Sequence, residues 1–235
     1  MIDLHSHILP GIDDGSPDFE TSVALVSELA AGGVTEIVAT PHYIEETIYT
    51  STVSKNRKLL TTLRRRLKKA GISVKVHLGN EIYITPDILK LLETREISPL
   101  GKASSKYLLV ELPMSGKFPG YYDIFLSLIR SGYKVVLAHP ERYTSFASDF
   151  SLVSELVEMG VLMQCNLGSF AGIYGKTVLK LACHLAKEKM IFALGSDIHH
   201  VRGGKWIPAG MKKLSKFYSD KELDELLVKN PKTCI

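Results

Sequence analysis

Residues 1–15, MIDLHSHILPGIDDG, open the chain with a short apolar run that carries two histidines, His5 and His7. Side chains two positions apart on a strand point to the same face. The pair is therefore placed as two metal ligands on one strand would be, and Asp13 and Asp14 follow in the next loop. This interpretation requires further ligands from the rest of the chain.

Six later apolar runs resemble the first, and most are continuous and rich in Val, Ile and Leu, which is typical of parallel strands covered on both faces. With residues 1–5 they predict seven strands, at 35–40, 74–79, 106–112, 134–139, 161–166 and 190–196. Helical patterns lie between them. The first is expected to start with Ser16 as its N-cap and Pro17 at its first position, and to end at Gly32-Gly33. The others are expected at 52–70, 86–95, 121–131, 149–159, 175–188 and 208–229. This alternation favours a parallel (β/α) barrel over an open sheet.

Composition narrows the class of protein. The 235 residues are 45% hydrophobic and 23% charged, which fits an ordinary globular fold of one larger domain or at most two small ones. A net charge of +4 is too mild to argue for nucleic acid. The three cysteines are odd in number and widely spaced, so they give neither a CxxC metal pair nor a disulfide framework, which fits a reducing compartment. No signal peptide fits the first residues, and no apolar run approaches the roughly 18 residues that span a bilayer. We therefore expect a cytoplasmic protein.

The chemistry is concentrated where the predicted strands end. In a barrel of this kind the catalytic groups gather at the carboxyl ends of the strands. Six of the seven ends carry a His, Asp or Glu, and six of the eight histidines lie there. Including the first loop, the strand-end residues are His5, His7, Asp13, Asp14, His42, Glu81, Glu111, His139, Glu141, Asp197, His199 and His200, while Cys165 and Asn166 end the sixth strand.

This joint pattern predicts a metal site, although any one of these residues alone would be an ordinary packing or surface residue. Imidazole and carboxylate ligands suit Zn, Mn or Fe. The ligands exceed what one tetrahedral ion uses, so two or three ions bridged by carboxylates are expected. Such sites clamp phosphoryl oxygens and generate hydroxide near neutral pH. Arg142, three residues after His139, adds a phosphate-binding fork. The residues therefore predict a metal-dependent phosphoesterase.

The sequence resembles the PHP (polymerase and histidinol phosphatase) superfamily, whose members open with HxH on the first strand of a distorted (β/α)7 TIM-like barrel. Within it, the chain is similar to the bacterial manganese-dependent protein-tyrosine phosphatases of the CpsB/CapC/YwqE type. The matching stretches span nearly the whole chain in order: MIDLHSHILPGIDDG, IVATPH, GNEIYITPD, YLLVELP, VVLAHPERY, LGSFAGIYGK and GSDIHH. The resemblance implies one α/β domain over residues 1–235 with the PHP fold.

The resemblance also implies three metal ions, most simply Mn²⁺, with Fe, Co or Zn as alternatives. The first ion would be bound by His5, His7, Glu81 and Asp197. Glu81 would bridge to a second ion completed by Glu111 and His139. Asp14, His42 and His199 would bind a third ion, and Arg142 would hold the phosphate; these four are the expected catalytic residues. Asp3 is expected either to hydrogen-bond a ligand imidazole or to be purely structural.

One position departs from the pattern of the relatives, and the cysteines lack the pattern of cysteine-based tyrosine phosphatases. Relatives usually carry a phosphate-binding arginine five residues beyond the last-motif histidine, where this chain has Gly204 between Arg202 and Lys205. Either neighbour is a candidate substitute. A cysteine-based tyrosine phosphatase needs an arginine six residues after its thiolate. Cys165 and Cys183 are followed at that distance by Ala171 and Lys189, and Cys234 lies one residue from the end. The cysteines are therefore expected to be packing residues.

The implied substrate is phosphotyrosine on a protein, specifically the tail of a bacterial tyrosine kinase that controls polysaccharide export. A metal-activated hydroxide would attack phosphorus in line, with no phosphoenzyme, and the general acid is left open between a metal-bound water and a nearby His or Asp. The alternatives are a small-molecule PHP phosphatase acting on a substrate such as histidinol phosphate, a PHP nuclease, and a metal-stabilised docking module without activity. A homo-oligomer is also open.

Two surface features have two interpretations each. The basic run from Lys55 to Lys69 is either a solvated helix face or a contact for an acidic partner or a second subunit. Residues 166–176 are expected to form a rim loop beside the substrate cleft. The aromatic residues near it are either cleft-lining or ordinary packing residues: Tyr43, Tyr143, Phe170 and Tyr174.

Overall fold

Parallel strands form the centre of the molecule. The computed structural model describes residues 1–116 and 120–235. The strands are β1 (Ile2–Ser6), β2 (Glu36–Ala39), β3 (His42–Tyr43), β4 (Lys75–Leu78), β5 (Glu81–Tyr83), β6 (Tyr107–Glu111), β7 (Lys134–Ala138), β8 (Leu162–Asn166) and β9 (Ile191–Gly195). Every ladder between them is parallel. All seven predicted strands are confirmed, and β3 and β5 continue β2 and β4 after two-residue breaks.

Helices follow the strands and cover their outer side. They are α1 (Phe19–Ala31), α2 (Val53–Lys69), α3 (Ile88–Glu93), α4 (Tyr121–Arg130), α5 (Thr144–Ser148), α6 (Ser151–Glu158), α7 (Leu167–Phe170), α8 (Lys176–Lys187), α9 (Trp206–Leu214), α10 (Asp220–Asp224) and α11 (Asn230–Cys234). A 3₁₀ turn spans Pro140–Arg142, and a π-helical turn at Glu225–Lys229 joins α10 to α11. Within the described residues, every helix falls short of the length and apolarity that crossing a bilayer requires.

The strands form a distorted ring in two hydrogen-bonded segments. One segment has the order β1-β2-β4, and the other has the order β3-β5-β6-β7-β8-β9. Single bonds rather than a ladder bring the last strand back to the first: the Asp197 N–H donates to His5 O at 2.8 Å and the His7 N–H donates to Ile198 O at 3.2 Å. This arrangement is the distorted (β/α) barrel that the sequence predicts, and all carboxyl ends of its strands face the same side.

Two apolar layers support the ring. Strand residues that point inward form a narrow inner cluster with Cys234 of α11, namely Leu4, Val38, Leu109, Val136, Ala138 and Ala193. Residues that point outward pack under the helices in the larger cluster, as Val135 and Leu137 of β7 do with Phe125 and Leu128 of α4. Strand β7 is buried at every position after Lys134, which explains its uninterrupted apolar sequence.

The first helix begins later than predicted. The N-cap is Asp18, whose Oδ1 accepts from the Thr21 N–H at 2.7 Å, so the prediction of Ser16 as cap and Pro17 as first residue is wrong. Ser16 is buried in the preceding loop, where its N–H donates to His7 O at 3.0 Å. That contact with the end of β1 keeps Ser16 and Pro17 outside the helix.

Some other predicted helix boundaries also change. The predicted helix 208–229 is wrong as a single helix, because α9 ends at Leu214 and a new helix starts after Ser219. Ser219 and Glu222 form a capping box, in which Ser219 Oγ accepts from the Glu222 N–H and Glu222 Oε2 accepts from the Ser219 N–H. The predicted helix 149–159 is preceded by the short α5, and the rim loop contains the short α7.

Candidate metal centre

All nine predicted ligands come together at the carboxyl ends of the strands: His5, His7, Asp14, His42, Glu81, Glu111, His139, Asp197 and His199. The breaks after β2 and β4 help to place two of them. Strand β3 pairs with β5 so that His42 and Glu81 are direct register partners. Glu81 is fully buried and lies within 3.2 Å of one nitrogen of each of four imidazoles, those of His5, His7, His42 and His139.

The first group is formed by His5, His7, Glu81 and Asp197. The two imidazole Nε2 atoms lie 3.0 Å apart. Glu81 Oε2 lies 3.1 Å from His5 Nε2 and 3.2 Å from His7 Nε2. Asp197 Oδ1 lies 3.5 and 3.4 Å from the same two nitrogens. The same-face prediction for the two histidines of β1 is therefore confirmed, and four donor atoms converge on one point.

The other ring nitrogens define the tautomers of these two histidines. His5 Nδ1 lies 2.8 Å from Gln164 Oε1, and His7 Nδ1 lies 2.9 Å from Asp13 Oδ2. Both oxygens can only accept, so each Nδ1 carries a proton, and each ring in its neutral form presents the Nε2 lone pair to the first group. Two lone pairs and two carboxylates directed at one point repel each other unless a cation lies between them.

The second group extends from the other oxygen of Glu81. His139 Nε2 lies 3.0 Å from Glu81 Oε1 and 3.7 Å from Glu111 Oε1. His42 Nδ1 also faces this group, 3.7 Å from Glu111 Oε2. His139 and Asp197 adopt left-handed backbone conformations, with φ of 32° and 50°. Such conformations are costly for residues with a Cβ and are concentrated at functional sites.

The third group lies at the open side of the site. Asp14 Oδ1 is 3.2 Å from His199 Nε2 and 3.5 Å from His42 Nε2. The His199 and His7 rings stack with their centroids 4.1 Å apart. The Asp14 side chain is half exposed, in contrast to the buried first group. The third group is therefore the most exposed of the three.

Electrostatics within the cluster is dominated by its buried carboxylates. Burial opposes ionisation of Glu81, but the surrounding His5 and His42 and the bond from His139 hold its pKa well below the usual range. Burial and the neighbouring charges of Glu81 and Asp197 raise the pKa of Glu111 to about 9. Carboxylates that repel each other in this way need a cation to be ionised together.

The donor set fits divalent metal ions. Within residues 1–116 and 120–235, the buried Glu81 Oε2 and His42 Nδ1 make no hydrogen bond although they lie only 3.0 Å apart. Buried polar atoms are normally satisfied. Three sets of donor atoms, each within 4.8 Å of one another, have the composition of metal sites: His5, His7 and Glu81; His42, Glu81 and Glu111; and His7, Asp14, His42 and His199. Nitrogen and carboxylate oxygen donors suit Mn, Fe or Zn.

Arg142 lies beside the first group. Its Nη1 donates to Asp197 Oδ2 at 2.6 Å, and its guanidinium lies 4.8 Å from the centre of the Tyr174 ring. The Arg202 guanidinium lies 5.7 Å from the same ring. Of the two residues that flank Gly204, Arg202 therefore shares an aromatic contact with Arg142.

The expectation that Asp3 hydrogen-bonds a ligand imidazole is wrong. Asp3 Oδ1 accepts from the backbone N–H groups of His5 at 3.2 Å and Ser196 at 2.7 Å. The alternative, a structural Asp3, agrees with this arrangement because it ties β1 to the end of β9. Burial raises the pKa of Asp3 to about 6.

The imidazole partners that the sequence did not assign are Asp13 and Gln164. The sequence places Asp13 in the loop after the first strand but assigns it no imidazole partner. Gln164 and Asn166 are fully buried in β8, two residues apart and on the same side of the strand. Two amides with this spacing in an otherwise apolar run were the available signal, because a buried amide needs a polar partner.

The other flagged residues lie apart from this chemistry. Burial raises the pKa of the Cys165 thiol well above its usual range, and Cys234 is likewise buried. His77 bonds Glu36 at 2.8 Å, and His200 is exposed. Of the aromatic residues near the rim loop, Tyr174 alone contacts the arginines among the described residues, while the others are buried packing residues: Tyr43, Tyr143 and Phe170. The expectation of packing roles for the cysteines agrees with the burial of Cys165 and Cys234, while Cys183 is partly exposed.

Comparison with known proteins shows where this chain belongs. Residues 1–235 match the family model described as capsular polysaccharide synthesis, CpsB/CapC. Tyrosine-protein phosphatase YwqE of Bacillus subtilis is 35% identical over 203 residues, covering 86% of this chain and 78% of the relative. Tyrosine-protein phosphatase CpsB of Streptococcus pneumoniae is 30% identical over 241 residues, covering 100% and 98%.

Solved structures agree with this placement. One solved chain comes from the crystal structures of YwqE from Bacillus subtilis and CpsB from Streptococcus pneumoniae, described as unique metal-dependent tyrosine phosphatases. It superposes on this chain with a TM-score of 0.91 at 31% identity, covering 100% of this chain and 94% of that one. A histidinol phosphate phosphatase from Lactococcus lactis shares the fold, with a TM-score of 0.60 at 14% identity and 92% coverage of both chains. This protein therefore belongs to the CpsB/CapC family of capsular polysaccharide synthesis.

Proposed function

We propose that this chain is a metal-dependent protein-tyrosine phosphatase, with residues 1–235 forming its single metallophosphatase domain. The observation that carries the proposal is the convergence of five imidazoles and four carboxylates at one end of the barrel, with Arg142 beside them. The names of the relatives support the reaction, since YwqE and CpsB are both tyrosine-protein phosphatases.

The nine side chains divide into sites for two or three ions. His5, His7, Glu81 and Asp197 would bind the first ion, and Glu111 and His139 would share Glu81 to bind the second. Asp14, His42 and His199 would bind the third. Mn²⁺ is the proposed metal, with Fe, Co or Zn as alternatives that the same donors accommodate. When bound, such ions stabilise negative charge on phosphoryl oxygens and lower the pKa of water.

The chain's own residues position the phosphate. Arg142 is held by Asp197 and Tyr174, with its side chain about a quarter exposed, so the guanidinium is preoriented yet accessible. Its planar fork matches two phosphoryl oxygens at once. Arg202, whose guanidinium also contacts the Tyr174 ring, is the proposed second cation in place of an arginine at position 204. Fixed donors of this kind stabilise charge that develops in the transition state without further reorganisation.

The leaving group lessens the need for a strong acid. A tyrosine phenol has a pKa of about 10, so its oxygen departs more easily than that of an alkyl ester. Asp14, His42 and His199 surround the open side of the cluster and are the proposed catalytic group there, besides Arg142. His199 Nδ1 donates to the Asp197 carbonyl oxygen at 3.0 Å, which directs its Nε2 toward Asp14.

The proposed substrate is the phosphotyrosine-bearing C-terminal tail of a bacterial tyrosine kinase that regulates capsular or exopolysaccharide synthesis. An extended tail reaches a cluster at the end of a barrel more readily than a folded surface does. We place the phosphatase in the cytoplasm, which agrees with its widely spaced cysteines. Nucleic acid and membrane insertion are not part of the proposal.

A comparison of substrates tests the proposal. The purified chain is treated with a chelator, and turnover of a phosphotyrosine peptide, histidinol phosphate and single-stranded DNA is measured before and after adding back Mn²⁺, Co²⁺, Zn²⁺ or Mg²⁺. We expect peptide turnover to disappear on chelation, to return most strongly with Mn²⁺, and to exceed the other two substrates. His5→Ala is expected to lose metal and activity while keeping the fold.

Other outcomes point to the alternative functions. Faster turnover of histidinol phosphate indicates a small-molecule phosphatase, and cleavage of DNA indicates a nuclease. Bound metal with no hydrolysis of any phosphomonoester indicates a docking module. Activity that survives exhaustive chelation contradicts the metal-dependent mechanism.

A further inference from the structure

Two amide side chains connect His5 and Asp197 of the first ligand group through the atoms that do not face the other ligands. His5 Nδ1 donates to Gln164 Oε1 at 2.8 Å, and Gln164 Nε2 donates to Asn166 Oδ1 at 3.0 Å. Asn166 Nδ2 then donates to Asp197 Oδ2 at 2.8 Å. Gln164 and Asn166 are fully buried. A continuous chain of three hydrogen bonds therefore runs from the imidazole of β1 to the carboxylate that follows β9.

The direction of this chain is determined by its two ends. Asp197 Oδ2 can only accept when ionised, so Asn166 must present its NH₂ group there and its oxygen toward Gln164. Gln164 must then present its NH₂ group to Asn166 and its oxygen to His5. The proton of His5 is thereby placed on Nδ1, and the lone pair of Nε2 is directed at Glu81 and His7.

The same chain assigns different tasks to the two oxygens of Asp197. Oδ2 receives bonds from Asn166 at 2.8 Å and from Arg142 at 2.6 Å. Oδ1 lies 3.5 Å from His5 Nε2 and 3.4 Å from His7 Nε2. Fixing Oδ2 from behind leaves Oδ1 directed into the first group.

A glycine makes the connection to His5 possible. Strand β9 pairs with β8 and lies between it and the end of β1. A Cβ added at Gly195 would lie 2.6 Å from His5 Cβ and 2.8 Å from Gln164 Nε2. Both distances are shorter than real contacts allow. The missing side chain at position 195 is therefore the gap through which Gln164 reaches across β9 to His5.

We propose that Gln164 and Asn166, with Gly195 as the gap between the strands, form an amide relay that positions His5 Nε2 and Asp197 Oδ1 toward the same metal ion. The inference rests on the proposed function, because it assigns the first group to an ion. Gln164 and Asn166 are positioning residues and touch neither the ion nor the substrate. Partners that orient ligands in this way typically contribute about 10–100-fold to metal affinity.

The direction of the relay distinguishes it from ordinary polar packing. In Gln164→Glu the acceptor for His5 is kept, but a carboxylate oxygen faces Asn166 Oδ1. Asn166 must then turn its amide, which places its oxygen against Asp197 Oδ2. If Gln164 served His5 alone, Gln164→Glu would be harmless, since Asp13 is a carboxylate in the equivalent position behind His7. The relay instead predicts that this substitution weakens metal binding.

The test measures binding of Mn²⁺ to the metal-free full chain by isothermal titration calorimetry. We expect Gln164→Glu and Asn166→Asp each to weaken binding at the tightest site by about 10–100-fold. Asn166→Ala removes the donor to Asp197 without adding charge and is expected to weaken it by about 10-fold, at the lower end of that range. Asn230→Ala is the matched control, because its amide bonds Phe192 O at 2.8 Å near the start of β9, at the opposite end of the barrel. It is expected to leave the affinity unchanged.

Two further measurements separate misfolding and failure of the proposed function from failure of the relay. Circular dichroism of each metal-free variant checks the fold, and ¹⁵N chemical shifts of the histidines report whether His5 carries its proton on Nδ1. If the wild-type chain binds no divalent ion, the proposed function fails. If it binds Mn²⁺ and folded Gln164→Glu and Asn166→Ala bind equally tightly, the relay is overturned.

Discussion

Asp13 Oδ2 lies 2.9 Å from His7 Nδ1 and also accepts from the backbone N–H of His42 at 3.2 Å. One carboxylate therefore orients the imidazole that follows β1 and fixes the backbone of β3, which brings two of the proposed ligands together. The side chain of Asp13 is fully buried. Burial opposes its ionisation, but the bond and charge of His7, the Gly15 N–H and the charge of His42 together outweigh burial and lower the pKa of Asp13.

Replacement of Asp13 by Ala is expected to weaken metal binding by about 10–100-fold, because His7 loses the partner that fixes its tautomer and ring orientation. Calorimetric titration of the metal-free chain with Mn²⁺ measures the effect. Asp224→Ala, which removes an exposed carboxylate paired with Lys229, serves as the control and is expected to bind as the wild type does. Unchanged affinity in a folded Asp13→Ala variant would show that His7 is oriented by other contacts.

Arg142→Ala is expected to lower kcat/KM for a phosphotyrosine peptide by about 10²–10³-fold at saturating metal, because one preorganised donor to the transition state is lost. The kcat/KM of Arg142→Lys is expected to lie between those of the wild type and Arg142→Ala, since an ammonium keeps the charge but not the bidentate fork. Asp197 keeps its bond from Asn166 in both variants, so metal content is expected to change little.

Steady-state kinetics combined with metal analysis checks this expectation. Arg130→Ala, an exposed arginine at the end of α4, is the control. Wild-type kcat/KM in Arg142→Ala would remove the proposed phosphate-binding role of that residue.

Much of the fold was predictable because buried parallel strands carry uninterrupted apolar runs. One failure occurred where a contact outside the helix decides a local choice. Ser16 is a good N-cap by type, but its bond to His7 O holds it in the loop and leaves the cap to Asp18. The break at Ser219 was available from sequence, since Ser219 and Glu222 have the spacing of a capping box.

The proposed ligands were predictable for a similar reason, because they lie in or after the last residues of the predicted strands and parallel strands end on one side of the barrel. Their supporting residues were not. The contact between Gln164 and His5 depends on the register of β8 with β9 and on the missing side chain of Gly195. Neither is visible in the sequence of β8 alone.

Cys165→Ser is expected to keep phosphatase activity at the wild-type level, because the buried thiol stays protonated and lies outside the proposed mechanism. Its expected cost is about 1–3 kcal/mol of unfolding free energy, since a hydroxyl replaces a small apolar group in the core. Urea unfolding and peptide turnover measure the two effects. Cys183→Ser, at a partly exposed position, is expected to change neither. A folded, metal-loaded Cys165→Ser variant without activity would instead indicate thiolate chemistry.

Glu28 of α1 joins that helix to the loop that follows the last ligand. Its carboxylate accepts from the Arg202 N–H at 2.8 Å, the Gly203 N–H at 3.0 Å and Trp206 Nε1 at 2.7 Å. Burial opposes ionisation of Glu28, but these bonds outweigh burial and lower its pKa below the usual range. A carboxylate whose pKa is lowered by folding stabilises the protein above the pKa of the unfolded chain and loses that contribution as the pH falls through the folded value.

Protonation of Glu28 is therefore expected to loosen the loop that carries Arg202 as the pH falls below about 4.3, the pKa of an ordinary glutamate, because folding lowers the pKa of Glu28. Trp206 is the chain's single tryptophan, so its fluorescence during an acid titration reports this contact directly. Glu28→Gln is expected to remove that fluorescence transition and to cost about 1–3 kcal/mol of unfolding free energy at neutral pH, because charge-assisted bonds become neutral ones. Glu20→Gln, on the same helix but paired with Arg66 at the surface, is expected to keep the transition. If Glu28→Gln showed the same acid fluorescence transition as the wild type, protonation of another group would cause that transition.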